Sequence, residues 1–144
     1  MINNRAVNVS RFPGPLPDEV AAGGDRSIGA ALIYDTAEIL ALAEAENVQL
    51  WSNGARRDAA KWSLDIPDLS RLIVAALQRG RFLGVEWCES RRGGPWAACE
   101  AWVITQREWV ETAGKYMGLT YYLKFAISRT GNILLMASNH PENT

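Results

Sequence analysis

Residues 120–140, TYYLKFAISRTGNILLMASNH, contain two strand-like runs on either side of a short turn. Side chains alternate between the two faces of a strand, so the length of the turn determines which residues share a face. Most of the apolar residues in this stretch are odd-numbered in both runs, 121–127 and 133–137. They share one face only if the loop has an odd number of residues, which predicts a three-residue loop, 129–131, with glycine where φ is positive.

The polar side chains then share the even-numbered face, and this set is Tyr122, Lys124, Ser128, Asn132, Ser138 and His140. A two-residue loop would pair His140 with Tyr121 and divide the apolar set between both faces. Burial of each large apolar side chain contributes about 1.5–3 kcal/mol, which favours the three-residue loop. In that register His140 lies diagonally from Tyr122, with about 7–8 Å between their backbones.

Length and composition indicate one soluble globular domain, because 144 residues with 48% hydrophobic and 22% charged side chains can bury a single core. No apolar run reaches the roughly 18 residues of a membrane-spanning helix, and the N-terminus has no signal-peptide core. We therefore expect a cytoplasmic protein with no membrane partner. One histidine and two cysteines exclude most metal-ligand patterns, so we predict no metal and no cofactor.

Basic residues are concentrated in the second half of the chain although the net charge is only −1. Residues 71–129 contain nine lysines and arginines against five glutamates. This imbalance is typical of a polyanion-binding surface on one face. Scattered, solvated arginines explain it equally well, and both interpretations stay open.

The proline and glycine positions in the first part of the chain predict an N-terminal arm followed by one domain. Three prolines within 13–17 and the paired glycines 23–24 predict an irregular arm over residues 1–30 and a single domain over 31–144. Helices are expected from Asp35 or Thr36 to Asn47 and over residues 55–62, separated by a short strand at 48–51.

The clearest helix opens at Asp65-Ile66-Pro67-Asp68 and ends at Gly80. Proline suits the first turn of a helix and aspartate complements its positive end. One apolar stripe repeats at helical spacing, namely Leu69, Leu72, Ile73, Ala76 and Leu77.

Strand-like segments follow at 81–90, 96–106, 121–128 and 133–140, with 107–119 as a longer connection. Helices followed by strands of this kind predict an α+β fold. We expect an antiparallel β-sheet of four to five strands with two to three helices packed on one face.

The even-numbered face has the side chains needed to cut RNA without a metal. Histidine changes its protonation state near neutral pH, so His140 is a candidate base or acid. Lys124 is suited to stabilise charge on a pentavalent phosphorus. Tyr122 is suited to position the ribose, relay a proton or stack on a base.

From about residue 37 to residue 140, the order of elements resembles the MqsR-type mRNA interferase toxins of the RelE-like superfamily. The matching segments are Val48 to Trp51, Ala59-Ala60 with Leu64-Asp65, Leu72-Ile73-Val74, Gly80-Arg81-Phe82, Tyr122-Leu123-Lys124 and residues 134–138. The resemblance implies a RelE-like fold, metal-independent cleavage of mRNA, and inhibition by a cognate antitoxin protein.

Carried over by position, the resemblance places the family's tyrosine on Tyr122 and its C-terminal lysine on or beside His140. The lysine after the family's "FY" falls near Gly84, with Arg81 nearby as a substitute, and the family's glutamine falls near Cys99 or Glu100. The predicted catalytic set is therefore His140, Tyr122, Lys124 and Arg81. The predicted RNA-binding residues are Arg79, Arg91, Arg92 and Lys115.

Three alternatives remain open at this point. Glu86 and Glu100, expected on one sheet face, are a second candidate for acid–base work. A two-residue turn at Gly93-Gly94 would set Cys88 opposite Cys99 and allow a disulfide, whereas a reducing compartment favours two free thiols. The protein would otherwise be a non-catalytic RelE-like module that binds protein or RNA.

Overall fold

The computed structural model describes residues 7–141, in which four helices flank one six-stranded sheet. In chain order the elements are α1 (Asp18–Ala21), β1 (Ser27–Gly29), α2 (Thr36–Glu44), β2 (Val48–Leu50), α3 (Asn53–Trp62), α4 (Ile66–Arg79), β3 (Arg81–Glu89), β4 (Trp96–Val110), β5 (Lys115–Ile127) and β6 (Leu134–Pro141). The strand order is β1-β3-β4-β5-β6-β2, and only β2 and β6 run parallel. The α+β class is confirmed, but the sheet has one more strand and the fold one more helix than the largest numbers predicted, because β1 and α1 form within the segment expected to be an irregular arm.

Helix α4 has the start that its sequence predicts. The Asp65 carboxylate accepts a hydrogen bond from the Asp68 N–H at 2.8 Å, and the Asp68 carboxylate accepts one from the Asp65 N–H at 3.0 Å. This reciprocal capping box satisfies two donors at the helix end, and Pro67 lies in the first turn. Leu69 and Ile73 are fully buried, so the predicted apolar stripe faces the core.

The sheet has two unlike faces. The back face carries Trp102, Ile104 and Leu123, which are buried in one core with Ile39 of α2 and Leu69 of α4. The front face is the opposite face, and its members Tyr122, Lys124, Ser138 and His140 are partly exposed.

The predicted loop between β5 and β6 is wrong. Ile127 pairs with Leu134, and the Ser128 N–H bonds the carbonyl of Ile133, so the register is shifted by one residue from the expected one. Apolar side chains near this turn are buried on both faces, which removes the reason for an odd-numbered loop. In β6, Ala137 is an extra residue that lies outside the β5–β6 register. Because of this extra residue, His140 lies on the front face, directly opposite Tyr122 rather than diagonal to it.

The expectation that every helix packs on one face is also wrong for α3. By alternation Ala126 and Leu135 belong to the front face, yet both are buried. The start of α3 and the β3–β4 loop close over this end of the face. The Asn53 N–H donates to the Ser90 carbonyl at 2.8 Å, and the preceding Ser52 hydroxyl donates to the Ala137 carbonyl at 2.7 Å.

The N-terminal segment is part of the sheet region. The Val9 N–H bonds the Trp96 carbonyl and the Arg11 N–H bonds the Ile127 carbonyl, each at 2.8 Å. Residues 8–10 thus lie between the start of β4 and the end of β5, and Ser10 is buried. Residues 7–30, expected to be irregular, contain α1 and β1. Residues 1–6 and 142–144 of the two predicted ranges lie outside the described part of the chain.

Residues 107–119 are not a connection, contrary to expectation, because they continue the β4–β5 ladder to the pair Val110 and Lys115. Strand β3 pairs with β4 no farther than Val103, and β6 pairs with β5 no farther than Tyr121 within the described residues, which end at Pro141. Among residues 7–141, residues 105–120 therefore form a two-stranded ladder without a third strand, which we name the distal hairpin. Within residues 7–141, no helix has the length and apolarity needed to cross a membrane.

Candidate functional site

The register of four strands aligns three of the predicted catalytic residues in one row. Arg81 of β3 pairs with Val103 of β4, Val103 pairs with Tyr122 of β5, and Tyr122 pairs with His140 of β6. All four side chains therefore lie on the front face. Neighbouring strands are about 4.8 Å apart, which places the backbones of Arg81 and Tyr122 roughly 10 Å from each other.

Tyr122 and His140 are the closest members of this row. Their ring centroids are 6.0 Å apart with the ring planes at 36°, and both residues are half-buried. The Nδ1 atom of His140 lies 3.2 Å from the Pro141 carbonyl oxygen. A carbonyl oxygen can only accept, so Nδ1 carries the proton in this contact and Nε2 is the basic atom.

Lys124 lies on the same face, two residues from Tyr122 along β5, but it is paired with an acidic side chain. Its Nζ is 2.6 Å from Oε1 of Glu86, which reaches it across β4. Burial alone would lower the pKa of Lys124, but the hydrogen bond and charge of Glu86 outweigh it and the pKa is raised overall. Lys124 therefore stays protonated near neutral pH and cannot act as a base, and Glu86 neutralises much of its charge.

A pocket lies beside the row where α4 meets β3. Its volume is about 340 Å³, and its lining includes Arg79, Arg81, Thr105, Thr120 and Tyr122. The two threonine hydroxyls are 2.8 Å apart. Among the described residues that line this pocket, two are arginines and none is acidic, so its chemistry suits a phosphate group.

Glycine is required at position 80, between the end of helix α4 and the start of strand β3. A Cβ at this position would lie 2.5 Å from the Val103 carbonyl and 2.7 Å from the Ala76 carbonyl, both backbone atoms. Only glycine permits so close an approach. Arg79 and Arg81, which flank this glycine, both line the pocket, and Arg79 also donates to the Gln106 side chain at 2.8 Å.

The other predicted RNA-binding residues are not brought to the row. Arg91 and Arg92 are exposed in the β3–β4 loop, at the opposite end of β3 from Arg81. Lys115 is at the far end of the distal hairpin, where it pairs with Val110. These three residues therefore contact a ligand at the row only if that ligand extends over much of the protein.

The carboxylate pair expected on one face does not exist. Glu86 is on the front face with Lys124, whereas Glu100 is on the back face and fully buried. The Glu100 carboxylate accepts hydrogen bonds from the backbone N–H groups of Ile33 and Tyr34 at 3.1 and 3.0 Å and from the Trp102 ring N–H at 3.1 Å. Glu100 therefore links the backbone of residues 33–34 to the sheet through these hydrogen bonds.

The two cysteines are free thiols. Cys88 pairs with Ala97 and Cys99 with Glu86, because the loop between β3 and β4 is longer than two residues. They are therefore diagonal neighbours on the front face and not direct partners. Burial, and then the nearby Cys88, raise the pKa of the Cys99 thiol well above its usual value.

Two features of the front face were not predicted from the sequence. The pairing of Lys124 with Glu86 links strands separated by a third, so it was not predictable without the register. The distal hairpin carries Trp109 and Tyr116 as a cross-strand pair. Their near-symmetric spacing about Glu111–Gly114 was the available signal, and it was missed because the segment was interpreted as a connection.

The fold and the row define an α+β protein whose sheet presents a cationic and aromatic face. Within residues 7–141, no cluster of three or more histidine, cysteine or acidic side chains could hold a metal ion. No protein-family model, curated protein or solved structure matches this chain.

Proposed function

We propose that this protein is a metal-independent endoribonuclease that cleaves single-stranded RNA on its front face. The observation that carries the proposal is the row Arg81, Val103, Tyr122 and His140, which aligns a cation, a hydroxyl and an imidazole across four strands. The pocket lined by Arg79, Arg81 and Tyr122, which has two cations and no acidic side chain in its lining, supports it. The resemblance to MqsR-type toxins adds a RelE-like fold, an mRNA substrate, and inhibition by a cognate antitoxin to the proposal.

In this mechanism the scissile phosphate lies over Val103, between Arg81 and Tyr122. Nε2 of His140 takes the proton of the ribose 2′-hydroxyl, and the 2′-oxygen forms a new bond to phosphorus. The bond from phosphorus to the 5′-oxygen breaks, and that oxygen takes a proton from the Tyr122 hydroxyl. Solvent then removes the proton that His140 received and returns one to Tyr122. The products are a 2′,3′-cyclic phosphate and a 5′-hydroxyl, while Arg79 and Arg81 stabilise the charge that develops on the phosphate.

One observation favours a second candidate function, RNA binding without cleavage. Lys124 is neutralised by Glu86, so the transition state would depend on Arg81 and Arg79 for positive charge. The same aromatic and cationic face suits the binding of unpaired bases and phosphates without chemistry. In this case the protein would be a non-catalytic RNA-binding module, which is the alternative that the sequence also allows.

The test is incubation of purified protein with mixed single-stranded RNA in excess EDTA, followed by mapping of the ends. We expect cleavage that yields cyclic phosphate ends and that His140→Ala reduces about 10²–10⁴-fold. Ser138→Ala is the matched control, because Ser138 lies on the same strand and face, two residues away. Tyr122→Phe and Tyr121→Phe form a second pair that removes a hydroxyl from opposite faces, and only the first should slow cleavage.

Each outcome decides between the candidates. Cleavage that His140→Ala does not reduce would refute the assignment of the base, and cleavage abolished by EDTA would refute metal independence. RNA that is bound but remains intact under all conditions would establish the binding module instead.

A further inference from the structure

The tip of the distal hairpin exposes two large aromatic side chains. Trp109 is 50% exposed and Tyr116 is 58% exposed, with ring centroids 5.3 Å apart and planes at 72°. Aromatic side chains are usually placed in cores, so an exposed pair indicates a surface that binds something.

The charges around this pair match an anionic ligand. The Arg107 guanidinium lies 5.7 Å from the centre of the Tyr116 ring. By alternation Arg107 shares the front face with Trp109 and Tyr116, while Glu108 points to the back face. Glu111 lies in the turn, outside both strands. The front face of the distal hairpin is therefore aromatic and cationic.

Gly118 leaves a gap in this surface. It pairs with Arg107 and lies two residues from Tyr116 along β5. A Cβ at this position would meet only the Thr105 methyl group, at 3.5 Å, and no left-handed backbone is required. Neither packing nor conformation demands glycine here, and glycine within a strand often marks the close approach of a ligand.

The aromatic pair is continuous with the row of the candidate site. The β4–β5 register is unbroken from Trp109 and Tyr116 to Val103 and Tyr122, so all these positions are on the front face. Six residues of strand separate the two pairs, a distance of roughly 20 Å. A ligand extended along β4 and β5 would contact both.

We infer that the distal hairpin is a base-stacking platform for single-stranded RNA, which holds nucleotides several positions away from the scissile phosphate. Bases stack on Trp109 and Tyr116, one base enters the gap at Gly118, and Arg107 contacts the backbone phosphate. Only unpaired bases can stack in this way, because the bases of a duplex already stack on one another. The inference deepens the proposed function and rests on it for the identity of the ligand.

The test is the affinity for a fluorescently labelled single-stranded RNA of about 20 nucleotides, measured in the His140→Ala background so that the RNA stays intact. Each of Trp109→Ala and Tyr116→Ala should weaken binding by roughly tenfold or more. Trp62→Ala is the matched control. Trp62 is 44% exposed and has the Lys61 ammonium 5.3 Å from its ring, but it lies on α3. We expect this control to bind RNA normally.

Gly118→Val tests the gap without removing an aromatic ring. The added side chain occupies the space of the inserted base, so affinity should fall severalfold while the thermal melt remains unchanged. Duplex RNA of the same length should bind more weakly than single-stranded RNA, and the two aromatic variants should not change its affinity. Equal losses for duplex and single-stranded RNA would overturn the stacking role.

The two proposals fail in different ways. If RNA is bound and cut but the hairpin variants bind it normally, the stacking platform is refuted and the nuclease stands. If RNA is bound through the hairpin but not cut, the platform stands and the nuclease is refuted. If the protein binds no RNA, both are refuted, and the aromatic tip becomes a candidate surface for a protein partner.

Discussion

The two ends of the β5–β6 hairpin show how one pair of strands can be both core and surface. Near the turn, Phe125, Ile127, Leu134 and Met136 are buried on the back face, and Ala126 and Leu135 are buried on the front face. Farther along the same strands, Leu123 and Asn139 are buried on the back face, while Tyr122 and His140 remain accessible in front.

The difference between the two ends arises from what lies over the front face. The start of α3 and the β3–β4 loop cover the turn end, and nothing in the described part of the chain covers the other end to the same extent. Ala137 lies where the two ends meet. Because it is an extra residue in β6, the side chains beyond it alternate so that His140 lies on the front face. The front face is therefore closed at the turn end and carries an open polar row at the other end.

The largest effect is expected from removing a side chain at the closed end. Phe125 is fully buried, so Phe125→Ala should lower the free energy of unfolding by about 3–5 kcal/mol through lost burial and the remaining cavity. Tyr122→Ala, three residues away at the open end, should cost much less. Urea denaturation of both variants measures the contrast. Similar losses for the two would show that the open end is also part of the core.

Deleting Ala137 should remove the irregularity between the two ends and leave both faces unchanged. Met136 then joins directly to Ser138, so these residues still pair with Phe125 and Lys124, and His140 stays opposite Tyr122. We expect RNA cleavage to be retained and the free energy of unfolding, measured by urea denaturation, to fall by no more than about 2 kcal/mol. Ala137→Ser keeps the residue count and is the control. Loss of cleavage by a deletion variant that still folds would contradict the assignment of Ala137 as the extra residue.

Alkaline pH should destabilise the folded protein through three buried groups, one thiol and two phenols. Burial raises the pKa values of the Cys99 thiol and of the Tyr34 and Tyr121 hydroxyls. These groups keep protons in the folded state that they lose when unfolded, so the free energy of unfolding should fall as the pH rises above about 9. Cys99→Ala should reduce that slope by at most about 1.4 kcal/mol per pH unit.

Urea midpoints at pH 8, 9 and 10 check this prediction. A thiol reagent at pH 8 should also modify partly exposed Cys88 in the native protein and Cys99 only after unfolding. Stability that is constant over this pH range would show that the three groups ionise normally.

The smallest effect on stability is expected at the open end. Glu86→Gln breaks the pair with Lys124, in which both side chains are about a third exposed, so it should cost less than about 1 kcal/mol. It also releases a cation toward the ligand, so RNA affinity should rise and its dependence on salt should steepen by nearly one unit of slope. Weaker RNA binding by this variant would show that Glu86 itself orders the site.

The sequence predicted the local features well where neighbouring residues determine them. Asp65, Pro67 and the apolar stripe predicted α4, and the period-two pattern predicted most of β3 to β6. The same pattern placed Tyr122, Lys124 and His140 on one face, although by a register that is wrong. The missed features involve residues far apart in sequence, such as the insertion of residues 8–10 between β4 and β5.

The sequence by itself determined which segments form helices and strands and which polar side chains are available for chemistry, because propensity, capping and alternation act within a few residues. Only the tertiary structure decided which of these residues meet. The bulge at Ala137, the closure by α3 and the capture of Lys124 by Glu86 depend on contacts between distant segments. Burial on both faces removes the alternation signal near the turn, so no local pattern could have predicted the register.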